Sequence, residues 1–266
     1  MKYIDMHCHV FPESIAAKAV ENLQNYYNFR WEGSGLATDI KQRCQESGIS
    51  KCLIFSSATK PEQVPAINKY ISDLVRETPD LFEGLGTIHP LYPHWQKELQ
   101  LLSSFKLKGI KIHPDFQHLD IDDPRMMDIY AAAGELDLLL LFHVGDKKQD
   151  HSSPRRLARV IEKYPGLKVI AAHLGGYSRW DEALDCLAGS SVYFDTSSAI
   201  AFMEKEQALR LICTHGTDKV LFASDYPAAA PATALRQLET LGLPREDMEK
   251  ICHRNAAKLL YGVPLS

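Results

Sequence analysis

Short apolar runs alternate with longer amphipathic stretches along the whole chain. Each apolar run has the length of a β-strand. The run at 138–143, Leu-Leu-Leu-Leu-Phe-His, is almost wholly apolar, as expected for a strand that is covered on both faces. The predicted strands are residues 3–10, 51–55, 82–88, 108–114, 138–143, 168–173, 192–195 and 219–225.

A helical stretch follows each predicted strand, and the connections are short. These stretches are residues 15–25 and 38–47, then 64–77, 95–105, 124–136, 154–163, 179–187 and 204–215, with two closing helices at 232–241 and 245–260. Eight consecutive strand-helix units without a break in composition predict one (β/α)8 TIM barrel over residues 1–266. An open doubly wound sheet is the alternative, but no Gly-x-Gly-x-x-Gly follows the first strand to support nucleotide binding.

Composition narrows the choice of partners. The 266 residues are 45% hydrophobic and 24% charged, with a formal net charge of -4 and no basic run, so nucleic acid and anionic membranes are poor partners. No apolar stretch approaches a membrane span, and the first residues lack the apolar core of a signal peptide, so we expect a cytoplasmic protein. The six cysteines include no Cys-x-x-Cys pair, which favours reduced, mostly buried thiols.

Metal-binding side chains follow the predicted strands at the points where they end. His7 and His9 are separated by one residue, so they share a face of the first strand. Catalytic residues of (β/α)8 barrels lie at the carboxyl ends of the strands. Imidazoles and a carboxylate that converge there can bind a divalent ion and leave one position for water. The strand ends carry His7, His9, His113, His143, His173 and Asp225.

Six segments occur in a characteristic order: Ile-Asp-Met-His-Cys-His (4–9), Gly-Ile-Lys-Ile-His-Pro (109–114), Phe-His (142–143), Ala-His-Leu-Gly-Gly (172–176), Ala-Ser-Asp-Tyr-Pro (223–227) and Arg-Asn-Ala-Ala-Lys-Leu-Leu (254–260). Together they resemble the amidohydrolase superfamily, and most of all its branch with aminocarboxymuconate-semialdehyde decarboxylase and related metal-dependent hydrolases. The resemblance implies a barrel, a divalent metal, and hydrolytic or decarboxylating chemistry. It implies His7, His9, His143 and Asp225 as metal ligands and His173 as a catalytic residue.

The residue types suggest how such a site would work. A bound divalent cation lowers the pKa of its water to about 7 and polarises carbonyl groups. Asp225 is the expected general base and later proton donor, and His173 would stabilise an oxyanion or shuttle a proton. The leading hypothesis is a hydrolase of a small amide, lactone or ester, with one ion, most readily Zn2+ and alternatively Mn2+ or Fe2+. Non-oxidative decarboxylation is the alternative within enzymes, and a binding module with a structural metal is the alternative outside them.

Several residues have less defined roles. Lys111 shares a strand face with His113 and is a candidate for carboxylation and a second metal, or for a charge in the pocket; His113 is a candidate to hydrogen-bond a ligand or to pack. Tyr177 and Arg179 are candidates to bind substrate, the guanidinium through a carboxylate. The segment 195–198 either lines the pocket or caps a helix, and the aromatic segment 26–31 is either a loop over the site or packing on the barrel wall. A homo-oligomer is compatible with the sequence.

Overall fold

The computed structural model describes residues 2–262 of the chain. Eight parallel strands form one sheet in the order of the sequence. Backbone hydrogen bonds from Met6 N to Phe222 O (3.0 Å) and from His9 N to Tyr226 O (2.6 Å) join the first strand to the last and close the sheet. The predicted (β/α)8 barrel is therefore confirmed. The strands are β1 Tyr3–His9, β2 Ile49–Phe55, β3 Phe82–Thr87, β4 Leu107–Ile112, β5 Leu139–Phe142, β6 Lys168–Ala171, β7 Tyr193–Asp195 and β8 Val220–Leu221.

Helices lie between the strands and after the last one. They are α1 Glu13–Tyr27, α2 Ala37–Ser47, α3 Val64–Glu77, α4 Trp95–Ser104, α5 Pro114–Gln117, α6 Pro124–Glu135, α7 Pro154–Lys163, α8 Trp180–Cys186, α9 Lys205–His215, α10 Pro231–Glu239, α11 Arg245–Glu249 and α12 Asn255–Tyr261. A π-helical turn, Lys250–Arg254, joins α11 to α12, so the closing helix predicted over 245–260 contains a wider turn. None of the helices in this described range is long and apolar enough to cross a membrane.

The core has an inner and an outer part. Leu139 and Leu141 of β5 pack in the inner cluster, whereas Leu140 and Phe142 pack in the outer one, so His143 continues the inward-facing positions. The first strand does not alternate so simply. Its register against β2 shifts between Asp5 and Cys8.

That shift changes which side chains of β1 face inward. Ile4 and Met6 belong to the inner cluster, but Cys8 packs in the outer one. His7 and His9 consequently point inward at the mouth of the barrel, and the His7 ring lies 5.1 Å from that of the inner residue Phe55. The prediction that His7 and His9 share a face is confirmed. Inward and outward side chains do not alternate strictly along the whole of β1, because of the register shift.

Two buried positions away from the mouth show how tightly the barrel wall is built. A Cβ atom at Gly109 of β4 would lie 1.8 Å from the carbonyl oxygen of Leu139 on β5, so only glycine fits. At the end of α9, His215 Nε2 donates to Val192 O (3.0 Å) and Nδ1 accepts from Gly189 N (3.2 Å). Burial lowers the pKa of His215 to about 4, which keeps this imidazole neutral.

Candidate active site

His7, His9 and Asp225 bring three ligand atoms into one tight group. His7 Nε2 lies 3.1 Å from His9 Nε2 and 3.2 Å from Asp225 Oδ1, and His9 Nε2 lies 3.6 Å from the same oxygen. Two ligands of one divalent ion, each about 2.1 Å from it, lie roughly 3.0 to 3.4 Å apart at octahedral or tetrahedral angles. The spacing and the nitrogen and oxygen donors therefore fit one divalent ion.

Asp225 reaches this group from a loop rather than from a strand. The hydrogen-bonded part of β8 ends at Leu221, and Asp225 follows in the left-handed region with φ 65°. Its carbonyl accepts from Ala228 N (2.8 Å), and Ser198 Oγ donates to its Oδ2. The tight turn and the serine hold the other carboxylate oxygen toward the two imidazoles.

Asp195, at the end of β7, fixes the orientation of His7. His7 Nδ1 donates to Asp195 Oδ2 over 2.9 Å, so Nε2 is the nitrogen with a free lone pair that faces the ligand group. The other oxygen, Asp195 Oδ1, accepts from the backbone of His173 (3.0 Å) and from the backbone (3.1 Å) and hydroxyl of Ser197. This aspartate is fully buried and belongs to the support of the site.

His173 and His143 form a second pair beside the first group. His173 Nδ1 donates to Ser197 O (2.9 Å), which turns its Nε2 toward His143 Nδ1 at 2.9 Å. The His173 ring lies 5.3 Å from that of His7, so the pair adjoins the three-ligand group. His143 also stacks on His113, with ring centroids 4.0 Å apart. The role of His143 as a fourth metal ligand stays a prediction.

Lys111 ends in the middle of these residues. Its side chain is fully buried, and Nζ lies 3.3 Å from His7 Nε2. Burial lowers its pKa to about 7, against the opposing charges of Asp195 and Asp225. An amine whose pKa is about 7 is partly neutral at neutral pH, and the neutral amine can react with carbon dioxide. The carboxylation of Lys111 and a second metal stay predictions.

Burial dominates the electrostatics of the cluster. It lowers the pKa of His7, His9 and His143 well below the usual range, with further lowering by neighbouring lysine and histidine groups. It lowers the pKa of His173 to about 4 and raises that of Asp225 to about 7. The imidazoles are thus neutral, which is the form that binds metal.

A cavity of about 680 Å3 opens onto this cluster. Its walls are mainly apolar and aromatic, and they come largely from α1, the loop after it and α3. Tyr177 and His113 line the cavity, as do His9, His143, His173 and Asp225. The aromatic lining comprises Phe11, Tyr26, Tyr27, Phe29, Trp31, Tyr70, Phe116 and Tyr177.

The aromatic segment 26–31 therefore covers the site, although its first two residues are the last turn of α1 rather than a loop. Tyr27 OH lies 3.3 Å from His113 Nε2, and Tyr26 OH donates to Asp146 Oδ2 over 3.1 Å. These contacts tie the end of α1 to the loops that follow β4 and β5. His113 is thereby held by a hydroxyl and two stacked rings.

The predicted contact of Arg179 with substrate is not supported by its position. Its guanidinium donates to Asp150 Oδ1 (2.6 Å), Gln149 O (2.8 Å) and Asp146 O (3.2 Å), and it does not line the cavity. The arginine ties α8 to the loop after β5. The position of Arg179 after a strand end suggested a substrate contact. No pattern in the sequence indicated that three acceptors in another loop would bind this guanidinium.

The family model described as Amidohydrolase matches residues 4–261. This chain belongs to the amidohydrolase family. The match confirms the resemblance of the six motifs. As a member of this family, the protein is a metal-dependent enzyme.

Solved structures with the same fold cover nearly the whole chain. A 2,6-dihydroxybenzoate decarboxylase complexed with 2,6-dihydroxybenzoate is 15% identical with a TM-score of 0.74, over 98% of this chain and 99% of that chain. The dihydroxybenzoic acid decarboxylase from Polaromonas sp. JS666, with bound manganese and the inhibitor 2-nitroresorcinol, is 15% identical with a TM-score of 0.74, over 97% and 96%. The 5-carboxyvanillate decarboxylase from Sphingomonas paucimobilis is 17% identical with a TM-score of 0.72, over 97% and 98%. At these identities the likeness establishes the barrel fold.

Proposed function

We propose that this amidohydrolase is a metal-dependent, non-oxidative decarboxylase of an aromatic carboxylic acid. The observation that carries the proposal is the cavity, whose aromatic walls end at the group of His7, His9 and Asp225. Aromatic walls favour a planar apolar body by stacking and burial. A carboxylate on that body needs positive charge, and Lys18 is the only lysine or arginine in the lining within the described range. A divalent ion at the far end would provide it.

The solved neighbours favour decarboxylation over the hydrolysis that the sequence puts first. These neighbours are decarboxylases of dihydroxybenzoate and carboxyvanillate, which are small aromatic acids. Manganese is bound in one of them, which favours Mn2+ over Zn2+, the ion that the sequence puts first. These likenesses support the proposal through the shared fold, and the substrate of this chain is inferred from its own cavity.

The metal would be held by His7, His9 and Asp225, with His143 as the fourth proposed ligand. A divalent ion there supplies positive charge that orients the substrate carboxylate and polarises the acid. His7 is kept in its binding tautomer by Asp195, and Ser198 holds the second oxygen of Asp225. Aromatic side chains of α1 exclude water from the ring of the substrate.

Decarboxylation requires a proton at the carbon that loses the carboxylate. The bond between this carbon and the carboxyl carbon breaks, its electron pair stays on the ring, a proton takes the vacated position, and carbon dioxide leaves. We assign delivery of this proton to Asp225, because its carboxylate lines the cavity beside the ligand group. Asp225 would be ionised while it holds the ion, so it would first take the proton from solvent and then pass it to the ring carbon. His173, fixed through Nδ1 by Ser197 O, presents Nε2 for a hydroxyl group of the substrate.

The test is product analysis with the protein loaded with Mn2+ and, separately, with Zn2+. A panel of hydroxylated benzoates, aryl esters, lactones and amides is incubated with wild type, Asp225→Asn and Asp128→Asn. The last is the matched control, since Asp128 is exposed on α6. We expect equimolar carbon dioxide and decarboxylated arene, with deuterium on the ring in D2O, from wild type and the control. Asp225→Asn should lose activity by about 100-fold or more.

Other outcomes would replace the proposal. Ester, lactone or amide cleavage without carbon dioxide would favour hydrolysis. Absence of any turnover by the metal-loaded protein, with Asp225→Asn indistinguishable from wild type in every assay, would favour a binding module. Wild-type activity after complete removal of metal would overturn metal dependence.

A further inference from the structure

Asp115 has a buried carboxylate that the fold leaves without a well-placed hydrogen-bond donor among the described residues. It lies on the short helix α5 directly after β4, and its side chain is 1% exposed. Within residues 2–262 neither of its oxygens has a hydrogen bond of good geometry, and the one side-chain hydroxyl beside it, that of Ser152, is also buried without a well-placed partner. A buried carboxylate without partners is strongly unfavourable. The Ser152 hydroxyl alone leaves this carboxylate short of donors, so a further donor would stabilise it.

A further candidate donor is the ring of His143. Asp115 Oδ2 lies 3.9 Å from His143 Nε2, and this nitrogen likewise has no partner within the described range. The opposite nitrogen, Nδ1, faces His173 Nε2 at 2.9 Å, and the His173 ring in turn lies 5.3 Å from that of His7 in the metal-ligand group. His143 thus lies between the site and the unpartnered carboxylate.

A histidine that offers one lone pair to a metal must carry its proton on the other nitrogen. If Nδ1 of His143 binds the ion, Nε2 becomes a donor, and Asp115 is the carboxylate within reach. Without that acceptor, the alternative tautomer places the proton on Nδ1, where it donates to His173 Nε2 and blocks coordination. The contact has to shorten by less than about 1 Å to become an ordinary hydrogen bond.

His7 provides the precedent within the same molecule. Its Nδ1 donates to Asp195, and its Nε2 points toward the other ligands. Asp115 and His143 repeat this arrangement across the barrel mouth, with the two ring nitrogens exchanged.

Stacking fixes the plane of the His143 ring but not its tautomer. His113 lies on one face at 4.0 Å and 10°, and Phe116 stacks on His113 at 4.0 Å and 17°. Near-parallel imidazoles also have lone pairs in parallel planes, so His113 and His143 cannot both point at one ion between them without turning. Ligand atoms of His113, Asp115 and His143 do lie within 4.8 Å of one another, so a second metal there is the competing use of these residues, and the stacking disfavours it.

We propose that Asp115 is a positioning residue that accepts a hydrogen bond from His143 Nε2 and thereby makes Nδ1 available to the metal. The inference rests on the proposed role of His143 as a ligand. It predicts a function for Asp115 in metal affinity rather than in folding, because no hydrogen bond of good geometry reaches its carboxylate within the described residues.

The experiment measures Mn2+ affinity and stoichiometry by chelator competition, together with the unfolding free energy of the metal-free protein. The variants are Asp115→Leu, Asp115→Asn, His143→Asn and the control Asp120→Asn, which changes a carboxylate paired with His151 outside the cavity. We expect Asp115→Leu to bind Mn2+ about 10- to 100-fold more weakly at unchanged or higher metal-free stability. Asp115→Asn, which keeps an acceptor oxygen, should recover part of the affinity. The Co2+ absorption spectrum should change in Asp115→Leu and in His143→Asn but not in the control Asp120→Asn.

The outcomes separate this inference from the proposed ligand set. Normal affinity in His143→Asn would overturn His143 as a ligand and this inference with it. Weak binding in His143→Asn but wild-type binding in Asp115→Leu would overturn the inference alone. Two ions in wild type and one in Asp115→Leu would overturn it in favour of a second metal site. A loss of affinity that follows a loss of metal-free stability would assign Asp115 a structural role instead.

Discussion

Asp195→Asn alters a single atom of the carboxylate that orients His7. In the native site, Oδ1 accepts from the backbone of His173 and from the backbone and hydroxyl of Ser197, and Oδ2 accepts from His7 Nδ1. Asparagine can keep only one acceptor oxygen, and the three donors at Oδ1 select that position for it. The amide NH2 then faces His7, so the ring must accept at Nδ1 and carry its proton on Nε2.

The consequence for the metal follows from the position of that proton. Nε2 is the atom that lies 3.1 Å from His9 Nε2 and 3.2 Å from Asp225 Oδ1, and once protonated it cannot bind an ion. Loss of such orienting partners lowers metal affinity by about 10- to 100-fold, which is about 1.4 to 2.7 kcal/mol. The metal-free fold should lose about 1 kcal/mol or less, since the three bonds at Oδ1 persist.

Asp195→Ala is the informative comparison, because it leaves the backbone N–H groups of His173 and Ser197 buried without an acceptor. Each such group costs about 1 to 3 kcal/mol, so alanine should lower the unfolding free energy by roughly 2 to 6 kcal/mol. Titration with Mn2+ and urea unfolding of the metal-free proteins measure the two effects separately. Wild-type Mn2+ affinity in Asp195→Asn would refute the tautomer argument, and equal instability of both variants would refute the hydrogen-bond assignment.

Three further predictions concern the wall and the cavity. The pKa of His215 falls from about 6.5 to about 4 on folding, so the unfolded state binds protons better between these values. The contribution of His215 to stability is therefore complete above about pH 6.5 and falls by about 3 kcal/mol toward pH 4. The buried histidines of the site act in the same direction, so His215→Gln should reduce the slope of stability against pH by that amount in urea titrations, not remove it. Gly109→Ala should destabilise the barrel by about 3 kcal/mol or more in urea unfolding, because its Cβ meets the rigid carbonyl of Leu139, whereas Gly166→Ala, which points into open space, should change little. Ala19→Phe narrows the cavity from α1 and should raise KM about 10-fold for two-ring acids while leaving Mn2+ affinity unchanged; equal effects on one-ring and two-ring acids would contradict this use of the cavity.

The barrel and its catalytic rim could be predicted from the sequence because both depend on local order along the chain. Apolar runs set the strands, and the residue directly after a run lies at the mouth. His7, His9 and Asp225 meet there as predicted, although Asp225 is four residues beyond the last ladder residue of β8. The family resemblance implied the same three residues as metal ligands.

The supporting residues could not be predicted because their roles depend on partners far away in the chain. Asp195 has a strand-end position, which was a signal for the pocket, but its bond to His7 spans 188 residues. Asp115 gave no signal, since a helix after a strand often begins with an acidic residue. Arg179 gave a misleading one, because its acceptors lie in a loop whose path no local pattern describes.

The two kinds of group in the cluster respond differently to a cation. Burial already makes His7 and His9 neutral, so they can bind an ion without losing a proton. Burial also raises the pKa of Asp225, which must be ionised to act as a ligand. The protons released on metal binding should therefore come from carboxyl groups rather than imidazoles. The same carboxylate lines the cavity, so in the metal-loaded protein it must take up a proton from solvent again before it can deliver one to the substrate in the proposed reaction.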